Sequence, residues 1–276
     1  MNIQKYAKIT ALILILALMP IINSLASEVK EPEQSVDVPI IMYHRVAVKS
    51  PGTYSITPSE LEADLKYLKD NGYNTIFMND LIDFVNHGKK LPQKPIILTF
   101  DDGNLGDYKY LYPLLKQYEM KAVLSVMGKI TDEYSEKTDK NINHPYITWQ
   151  NMVKMQCDGV VEIQNHSYDM HGDYGSKKMC GESAEAYHVR LKNDLLKMQE
   201  RTNKMLGRYP STFTYPLGAV SKESSDVLKE LNISASLSCY EGMNKISQGE
   251  SDKLFLLKRC KRSHGVPISR ILNKLK

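Results

Sequence analysis

Polar side chains that could do chemistry follow four apolar segments of the sequence. They are His44, the adjacent pair Asp101 and Asp102, His166, and Tyr215. A single histidine or carboxylate after a strand is usually structural or solvated. Four occurrences are much harder to attribute to chance, and the carboxyl ends of parallel strands meet at one edge of the fold, where ligands bind. The pattern therefore predicts a shared site.

His166 and His171 are five positions apart in the segment NHSYDMHG. On an α-helix this spacing corresponds to about 140° around the axis, so both rings can bind one ion only from a loop. Two neutral imidazoles and one carboxylate leave a position open for water or substrate, which is typical of a catalytic zinc site. The carboxylate is expected from the aspartate pair, with Asp169, between the histidines, as the alternative.

The two adjacent aspartates are expected to have different roles. Consecutive strand residues face opposite sides, so Asp101 and Asp102 should point in different directions, one towards a cation and the other towards the reacting water. The sequence contains no HExxH, no G-x-S-x-G and no phosphate-binding glycine loop. A zincin-type protease is therefore disfavoured.

Short apolar segments alternate with amphipathic ones from residue 38 onward. The predicted strands cover residues 38–46, 95–100, 122–127, 160–163, 212–215, 235–238 and 254–257. The predicted helices begin with a capping box at residues 57–60 and continue with 78–86, 108–118, 148–155, 182–206 and 221–231. Continuously apolar strands indicate a parallel sheet covered by helices. About seven units suit a closed α/β barrel, and a doubly wound sheet is the alternative.

The first residues predict export. Two lysines precede an apolar run at 9–22, and small residues follow at Ser24 and Ala26, which is typical of a signal peptide, here residues 1–26. An uncleaved membrane anchor is the alternative. We expect a flexible leader at 27–37, a folded domain at 38–276 and no span in the mature chain.

The charge of the chain does not indicate nucleic-acid binding. The 276 residues carry a formal net charge of 36 − 32 = +4, which falls to +4 − 2 = +2 without residues 1–26.

The four cysteines are expected to lie outside the site because they form no CxxC motif, and three pairings are possible. They are Cys157, Cys180, Cys239 and Cys260.

Three segments resemble the signatures of NodB-type polysaccharide deacetylases, carbohydrate esterase family 4. They are TFDDG at 99–103, His166-Ser167 with His171, and FTYPLG at 213–218. The resemblance spans about residues 38–270 and implies a distorted (β/α) barrel of about seven parallel strands. The five-residue histidine spacing and the MYHRV segment are similar to deacetylases of poly-N-acetylglucosamine biofilm systems.

The resemblance also implies a role for each residue. Asp102, His166 and His171 would bind a divalent metal, with zinc the first choice and cobalt, nickel or iron as alternatives. Asp101 would be the general base and the Leu217 N–H would stabilise the oxyanion. His44 would be the acid, as in the biofilm subgroup, with His264 the second choice.

One departure from the family pattern leaves a role open. Thr214 stands where the family has an arginine that orients the catalytic aspartate. Arg45 and Arg259 are the candidates to replace it, and with Tyr215 they are also the expected substrate-binding residues.

The function that follows is metal-dependent removal of N-acetyl groups from N-acetylglucosamine in a cell-surface polysaccharide, either an exopolysaccharide or peptidoglycan. The enzyme would be a secreted or cell-surface monomer. The alternatives are an O-acetyl esterase acting on xylan or another glycan, and a non-catalytic carbohydrate-binding barrel.

Overall fold

The computed structural model describes residues 35–49, 52–136 and 145–275. The predicted signal peptide at 1–26 and residues 27–34 of the predicted leader lie outside the described residues. The leader's last two residues belong to the folded domain, because Val36–Val38 is a strand that pairs antiparallel with Asn244–Ile246. Among the described helices, none combines the length and apolar character needed to cross a bilayer.

Twelve short strands are present in the described part of the chain. They are β1 (Val36–Val38), β2 (Ile40–Tyr43), β3 (Arg45–Val46), β4 (Ser55–Ile56), β5 (Asn74–Thr75), β6 (Pro95–Asp102), β7 (Ala122–Val126), β8 (Val161–Asn165), β9 (Thr212–Thr214), β10 (Ala235–Leu237), β11 (Asn244–Ile246) and β12 (Cys260–Lys261). Seven form the main parallel path of the central sheet, in the order β10-β9-β8-β7-β6-β2-β12, and β5 pairs in parallel with the start of β6.

This strand order identifies the fold. From β2 to β10 the strands follow one another in chain order, without the reversal that defines a doubly wound sheet. Leu257 forms a parallel bridge with Leu237 of β10, and Cys260 pairs with Ile41 of β2. One short segment thus contacts strands at both ends of the sheet, which therefore curls into a partial barrel. The predicted distorted barrel is confirmed, and the doubly wound alternative is wrong.

Eight α-helices cover the sheet in the described part of the chain. They are α1 (Pro58–Asp70), α2 (Met78–His87), α3 (Tyr112–Tyr118), α4 (Gly128–Glu136), α5 (Trp149–Cys157), α6 (Ala184–Leu206), α7 (Ser224–Glu230) and α8 (Ile268–Lys274). The predicted capping box is present at α1: Thr57 N donates to Glu60 Oε2 at 2.8 Å and Glu60 N donates to Thr57 Oγ1 at 3.2 Å. Helices α4 and α8 were missed, and a π-helical turn (Asp107–Leu111) replaces the start of the helix expected at 108–118.

Two predicted strands differ from the structure. The segment 38–46 forms three strands with different partners, because β1 pairs with β11, β2 joins the main sheet and β3 pairs with β4. The segment 254–257 is not a strand. A 3₁₀ turn (Ser251–Leu254) occupies its start, and Leu256 has a left-handed φ of 58° that interrupts extended pairing. The seventh parallel strand is instead β12.

Alternation along β6 separates the barrel interior from the helix layer. Leu98 and Phe100 pack in the largest apolar cluster, which includes residues of α1 and α5. Ile97 belongs to a second cluster, on the opposite face of the strand, with residues of α2. The interior face continues through Thr99 to Asp101, and both are buried. The fold therefore delivers one aspartate into the barrel at the carboxyl end of β6.

Candidate metal centre and active site

A cavity of about 600 Å³ lies where the central strands end. Seven of the residues singled out in the sequence line it: His44, Asp101, Asp102, His166, His171, Tyr215 and Leu217. They come from the ends of β2, β6, β8 and β9 and from the loops that follow. The structure therefore brings residues from four strand ends together around one space.

The two aspartates line the same cavity, contrary to the expectation that they diverge. Asp102 has a φ of 73°, so the extended alternation breaks at this residue and its side chain is not forced to the far side of the sheet. Such conformations cost about 1–3 kcal/mol for a residue other than glycine and cluster at functional sites. Ser167 at 71° and Leu217 at 57° repeat the feature after β8 and β9.

Asp102, His166 and His171 offer ligand atoms within 4.8 Å of one another, and no other group of three or more potential ligands is found among the described residues. The Nε2 atoms of His166 and His171 lie 3.4 Å and 3.2 Å from the same oxygen, Asp102 Oδ1. That oxygen is buried and has no hydrogen-bond partner among the described residues. Buried polar atoms normally have a partner, so the three atoms leave a position suited to a cation.

A backbone contact determines which ring nitrogen of His166 carries the hydrogen. Its Nδ1 lies 2.8 Å from the carbonyl oxygen of Thr214, and a carbonyl can only accept, so Nδ1 carries the hydrogen. In the neutral ring Nε2 then has a lone pair directed towards the Asp102 carboxylate. Orientation of a ligand histidine by a hydrogen bond at its other nitrogen is usual in metal sites. The donor set fits a divalent metal.

The electrostatics of the three groups favour positive charge. Burial acts to raise the pKa of Asp102, but contacts from His166 and His171 outweigh it and hold the pKa below its usual value. Contact with Asp102 raises the pKa of His171 despite partial burial. Without metal, the Asp102 carboxylate favours a proton on His171. A metal bound to these side chains would compete with that proton.

Asp101 is held as a carboxylate by Arg259. Burial acts to raise the pKa of Asp101, but the Arg259 guanidinium and the nearby histidines lower it below its ordinary value. Arg259 Nη1 donates to Asp101 Oδ1 at 2.8 Å and to Thr99 Oγ1 at 3.2 Å, and its Nε donates to the Ser238 carbonyl at 2.8 Å. The contacts with Thr99 and Ser238 hold the rigid guanidinium in place, and its hydrogen bond to Asp101 orients that carboxylate.

The prediction that Arg259 binds substrate needs correction. Its side chain is 0% exposed and lies behind Asp101 rather than along the cavity. It is the arginine that takes the orienting position left vacant by Thr214. Arg45 does not take this position: it is exposed, and its Nε donates to Ser55 Oγ at 2.7 Å.

Arg259→Met is expected to lower the free energy of unfolding by about 3–5 kcal/mol, because it leaves the buried Asp101 carboxylate without its partner. Arg259→Lys retains the charge and should lose less. Denaturant unfolding at neutral pH measures the difference. Arg45→Met is the control and should change stability by less than about 0.5 kcal/mol, as is usual at exposed positions. Equal losses in the Arg259 and Arg45 variants would contradict the assignment.

The two candidate acids occupy different places. The His44 ring lines the cavity, 4.8 Å centroid to centroid from Tyr54, and burial lowers its pKa although Asp101 and Asp102 oppose the shift. His264 lies outside the cavity, and its Nδ1 is 2.8 Å from Glu60 Oε2. Only His44 is near the candidate metal ligands.

The loop between the histidines bulges at Ser167. Its N–H donates to Asn165 Oδ1 at 2.7 Å and its Oγ accepts from Met170 N at 3.0 Å, which turns the chain so that His171 returns to the cavity. Asp169 points away and pairs with Lys129 at 2.7 Å, with 55% of its side chain exposed. Asp169, the alternative metal ligand, is therefore paired with Lys129 and is not part of the ligand cluster.

The remaining predicted site residues contribute differently. Tyr215 lines the cavity, but it is only 1% exposed and its hydroxyl is 2.7 Å from Ser224 Oγ. It can therefore shape the wall more readily than hydrogen-bond a ligand. Leu217 is 59% exposed at the cavity edge.

Five further residues line the cavity, and none of them was predicted to belong to the site. They are Met42, Tyr54, Cys239, Glu241 and Lys261. Cys239 corrects the expectation that all cysteines lie outside the site, and its position just after β10 is the signal that could have found it. The four cysteines are free thiols. Lys261 Nζ lies 5.0 Å from the Tyr54 ring centroid, a pairing for which the sequence has no local signal.

Comparison with known families places the chain in one of them. The polysaccharide deacetylase family model matches residues 88–236, more than half of the chain. The chain therefore belongs to the polysaccharide deacetylase family, and the resemblance predicted from the three signatures is confirmed.

Two curated relatives have a more specific name. The poly-beta-1,6-N-acetyl-D-glucosamine N-deacetylase of Escherichia coli (strain K12) is 25% identical over 221 residues, covering 71% of this chain and 33% of that protein. The protein of the same name in Staphylococcus aureus (strain MRSA252) is 25% identical over 188 residues, covering 68% and 62%. The chain thus spans less than two thirds of either relative.

A solved structure supports the fold. The Streptococcus pyogenes deacetylase PplD, determined in complex with acetate, is 22% identical, with a TM-score of 0.71 and coverage of 88% of this chain and all of that chain. The curled sheet of seven parallel strands is thus an architecture that this deacetylase also has.

Proposed function

We propose that the protein is a metal-dependent N-deacetylase that removes acetyl groups from N-acetylglucosamine residues of a cell-surface polysaccharide. The observation that carries the proposal is the buried, unpartnered Asp102 oxygen facing two imidazole nitrogens, beside a carboxylate that Arg259 holds ionised. The names of the Escherichia coli and Staphylococcus aureus relatives favour poly-β-1,6-N-acetylglucosamine over peptidoglycan as the polymer.

Each group in the cavity has a distinct role. Asp102, His166 and His171 would hold the metal, for which zinc is the first choice. When bound, a divalent metal polarises the acetyl carbonyl and lowers the pKa of its water. Asp101 accepts a proton from the attacking water, since its carboxylate is ionised and oriented.

Proton donation and charge stabilisation complete the reaction. His44 lines the same cavity and, in its protonated form, donates a proton to the departing amine. Burial lowers the pKa of the ring, and the charges of Asp101 and Asp102 oppose this effect and favour the protonated form. The Leu217 N–H donates to the oxygen that gains negative charge, because the left-handed turn after β9 places this backbone at the cavity edge. The products are acetate and a free amino group on the sugar.

The location follows from the proposed substrate. A polymer outside the cell requires export, for which residues 1–26 would supply a signal peptide, followed by a short leader and by the catalytic domain, whose first strand begins at Val36. The basic n-region and short apolar run at 9–22 support this proposal. Outside the cell, the polysaccharide would then enter the active site from the open side of the cavity.

Acetate release tests the function and its metal dependence together. The purified protein should release acetate from β-1,6-linked N-acetylglucosamine oligomers, lose at least about 100-fold of this activity in chelator, and regain it with added zinc. Peptidoglycan and O-acetylated xylan are the comparison substrates. Faster release from xylan would favour the esterase alternative, and no release from any substrate would favour the non-catalytic one.

A further inference from the structure

A second groove of about 520 Å³ adjoins the catalytic cavity. We call it the Tyr174 groove. One wall is the loop that follows His166, and the other is helix α6. Its lining includes Tyr168, Asp173, Tyr174, Arg190, Asn193 and Lys197. None of the groups assigned to the chemistry lies in it.

The Tyr174 groove shares a wall with the catalytic cavity. Met170 and Gly172 line the groove, whereas His171 between them lines the cavity. Consecutive Cα atoms are about 3.8 Å apart, so a single stretch of chain separates the two spaces. A ligand larger than one sugar could pass over this stretch from one space to the other.

A second contact ties the groove to the cavity. Gly175 lines the groove, and a Cβ built on it would lie 2.7 Å from the Pro216 carbonyl oxygen and 2.7 Å from Ala219 Cβ. Its φ of 54° also favours glycine. The groove loop therefore packs against the turn that carries Leu217, at the edge of the cavity.

Most charged groups in the groove are already paired within its walls. Asp194 accepts from Tyr168 N and Asp169 N, both at 2.8 Å. Lys197 Nζ lies 4.0 Å from the Tyr168 ring centroid, and Arg190 Nε donates to Glu182 Oε1 at 2.7 Å. These contacts hold the loop against α6 and form a preorganised groove rather than a set of free charges.

Three lining residues remain available to a ligand. Tyr174 is 57% exposed, and Asp173 and Asn193 are also exposed. In the described part of the chain, no hydrogen bond, ion pair or ring contact of their side chains is found. A flat ring together with a carboxylate and an amide suits a sugar, which has an apolar face and several hydroxyl groups.

We propose that the Tyr174 groove binds a neighbouring sugar residue of the polysaccharide while another residue occupies the catalytic cavity. The neighbouring ring packs on Tyr174, and its hydroxyls hydrogen-bond to Asp173 and Asn193. This inference rests on the proposed function. It assigns the groove a role in chain-length selectivity, because a ligand that fills only the cavity gains nothing from it.

The test compares substrates of two lengths. Wild-type protein and Tyr174→Ala are assayed with the N-acetylglucosamine monosaccharide, which can fill only the cavity, and with a β-1,6-linked pentamer, and pentamer binding is measured by calorimetry. Tyr209→Ala is the matched control, since Tyr209 is 62% exposed and lies outside both spaces. We expect Tyr174→Ala to lower kcat/KM for the pentamer about tenfold, mainly through KM, and to leave the monosaccharide within about twofold, a tenfold loss corresponding to about 1.4 kcal/mol.

Asp173→Ala should have the same length-dependent effect, and Tyr209→Ala should change neither substrate. Equal losses on monosaccharide and pentamer would indicate a structural role and overturn the inference. So would a wild-type protein with no preference for the pentamer in either rate or affinity. If the pentamer binds through Tyr174 but no acetate is released, the groove assignment stands and the proposed deacetylase function fails.

Discussion

Asp101→Asn is expected to lower kcat by about 10²–10⁴-fold, the usual effect of removing a general acid or base. The amide keeps the shape of the side chain but cannot accept the proton from the attacking water. Because Asp101 is not one of the three clustered ligands, the variant should retain its metal. Acetate release with an N-acetylglucosamine oligomer gives the rate, and elemental analysis of the same sample gives the metal content.

The control for this experiment is Asp226→Asn. Asp226 is exposed in the first turn of α7 and does not line the cavity, so its variant should match the wild type in both measurements. A fully active Asp101→Asn protein would show that another group accepts the proton. An inactive variant without metal would show that Asp101 is needed for metal binding as well.

Asp102→Ala is expected to abolish stoichiometric metal binding and, with it, activity. Even outer partners of metal ligands alter affinity by about 10–100-fold, so loss of a direct ligand should exceed about 100-fold. The change also removes a buried oxygen that has no hydrogen-bond partner, so the fold should tolerate it. Elemental analysis after dialysis, together with thermal unfolding, separates metal loss from unfolding.

Asp169→Ala is the matched control, because it lies on the histidine loop but pairs with Lys129 at 55% exposure. It should keep its metal and most of its activity. Retention of metal by Asp102→Ala, with an empty Asp169→Ala protein, would reverse the assignment of the carboxylate ligand.

The general location of the site could be predicted from the sequence because of a property of parallel sheets. His44, Asp101 and His166 each follow an apolar segment, and strands that run in one direction end at one edge. This argument needs no strand order, so it succeeds although the segment 38–46 forms three strands rather than one and the segment 254–257 is not a strand. Cys239 follows the same rule and was overlooked because the four cysteines form no CxxC motif.

The finer geometry depended on backbone conformations that residue types do not reveal. Strand alternation predicts divergent aspartates, but Asp102 adopts a φ of 73° and both line one cavity. Ser167 and Leu217 also adopt left-handed conformations without being glycine. Such strained residues are maintained by their surroundings, and those surroundings are assembled only in the folded chain.

Local patterns in the sequence determined several helix starts, most of the apolar strands and the identity of the reactive groups, because capping and periodicity act over a few residues. The box at Thr57 and Glu60 is such a case. Only the tertiary structure decided which arginine orients Asp101. Arg259 is 158 positions away and reaches it because the curled sheet brings the segment before β12 beside both β10 and β2. A contact of that kind depends on the closure of the whole barrel, which no short stretch of sequence encodes.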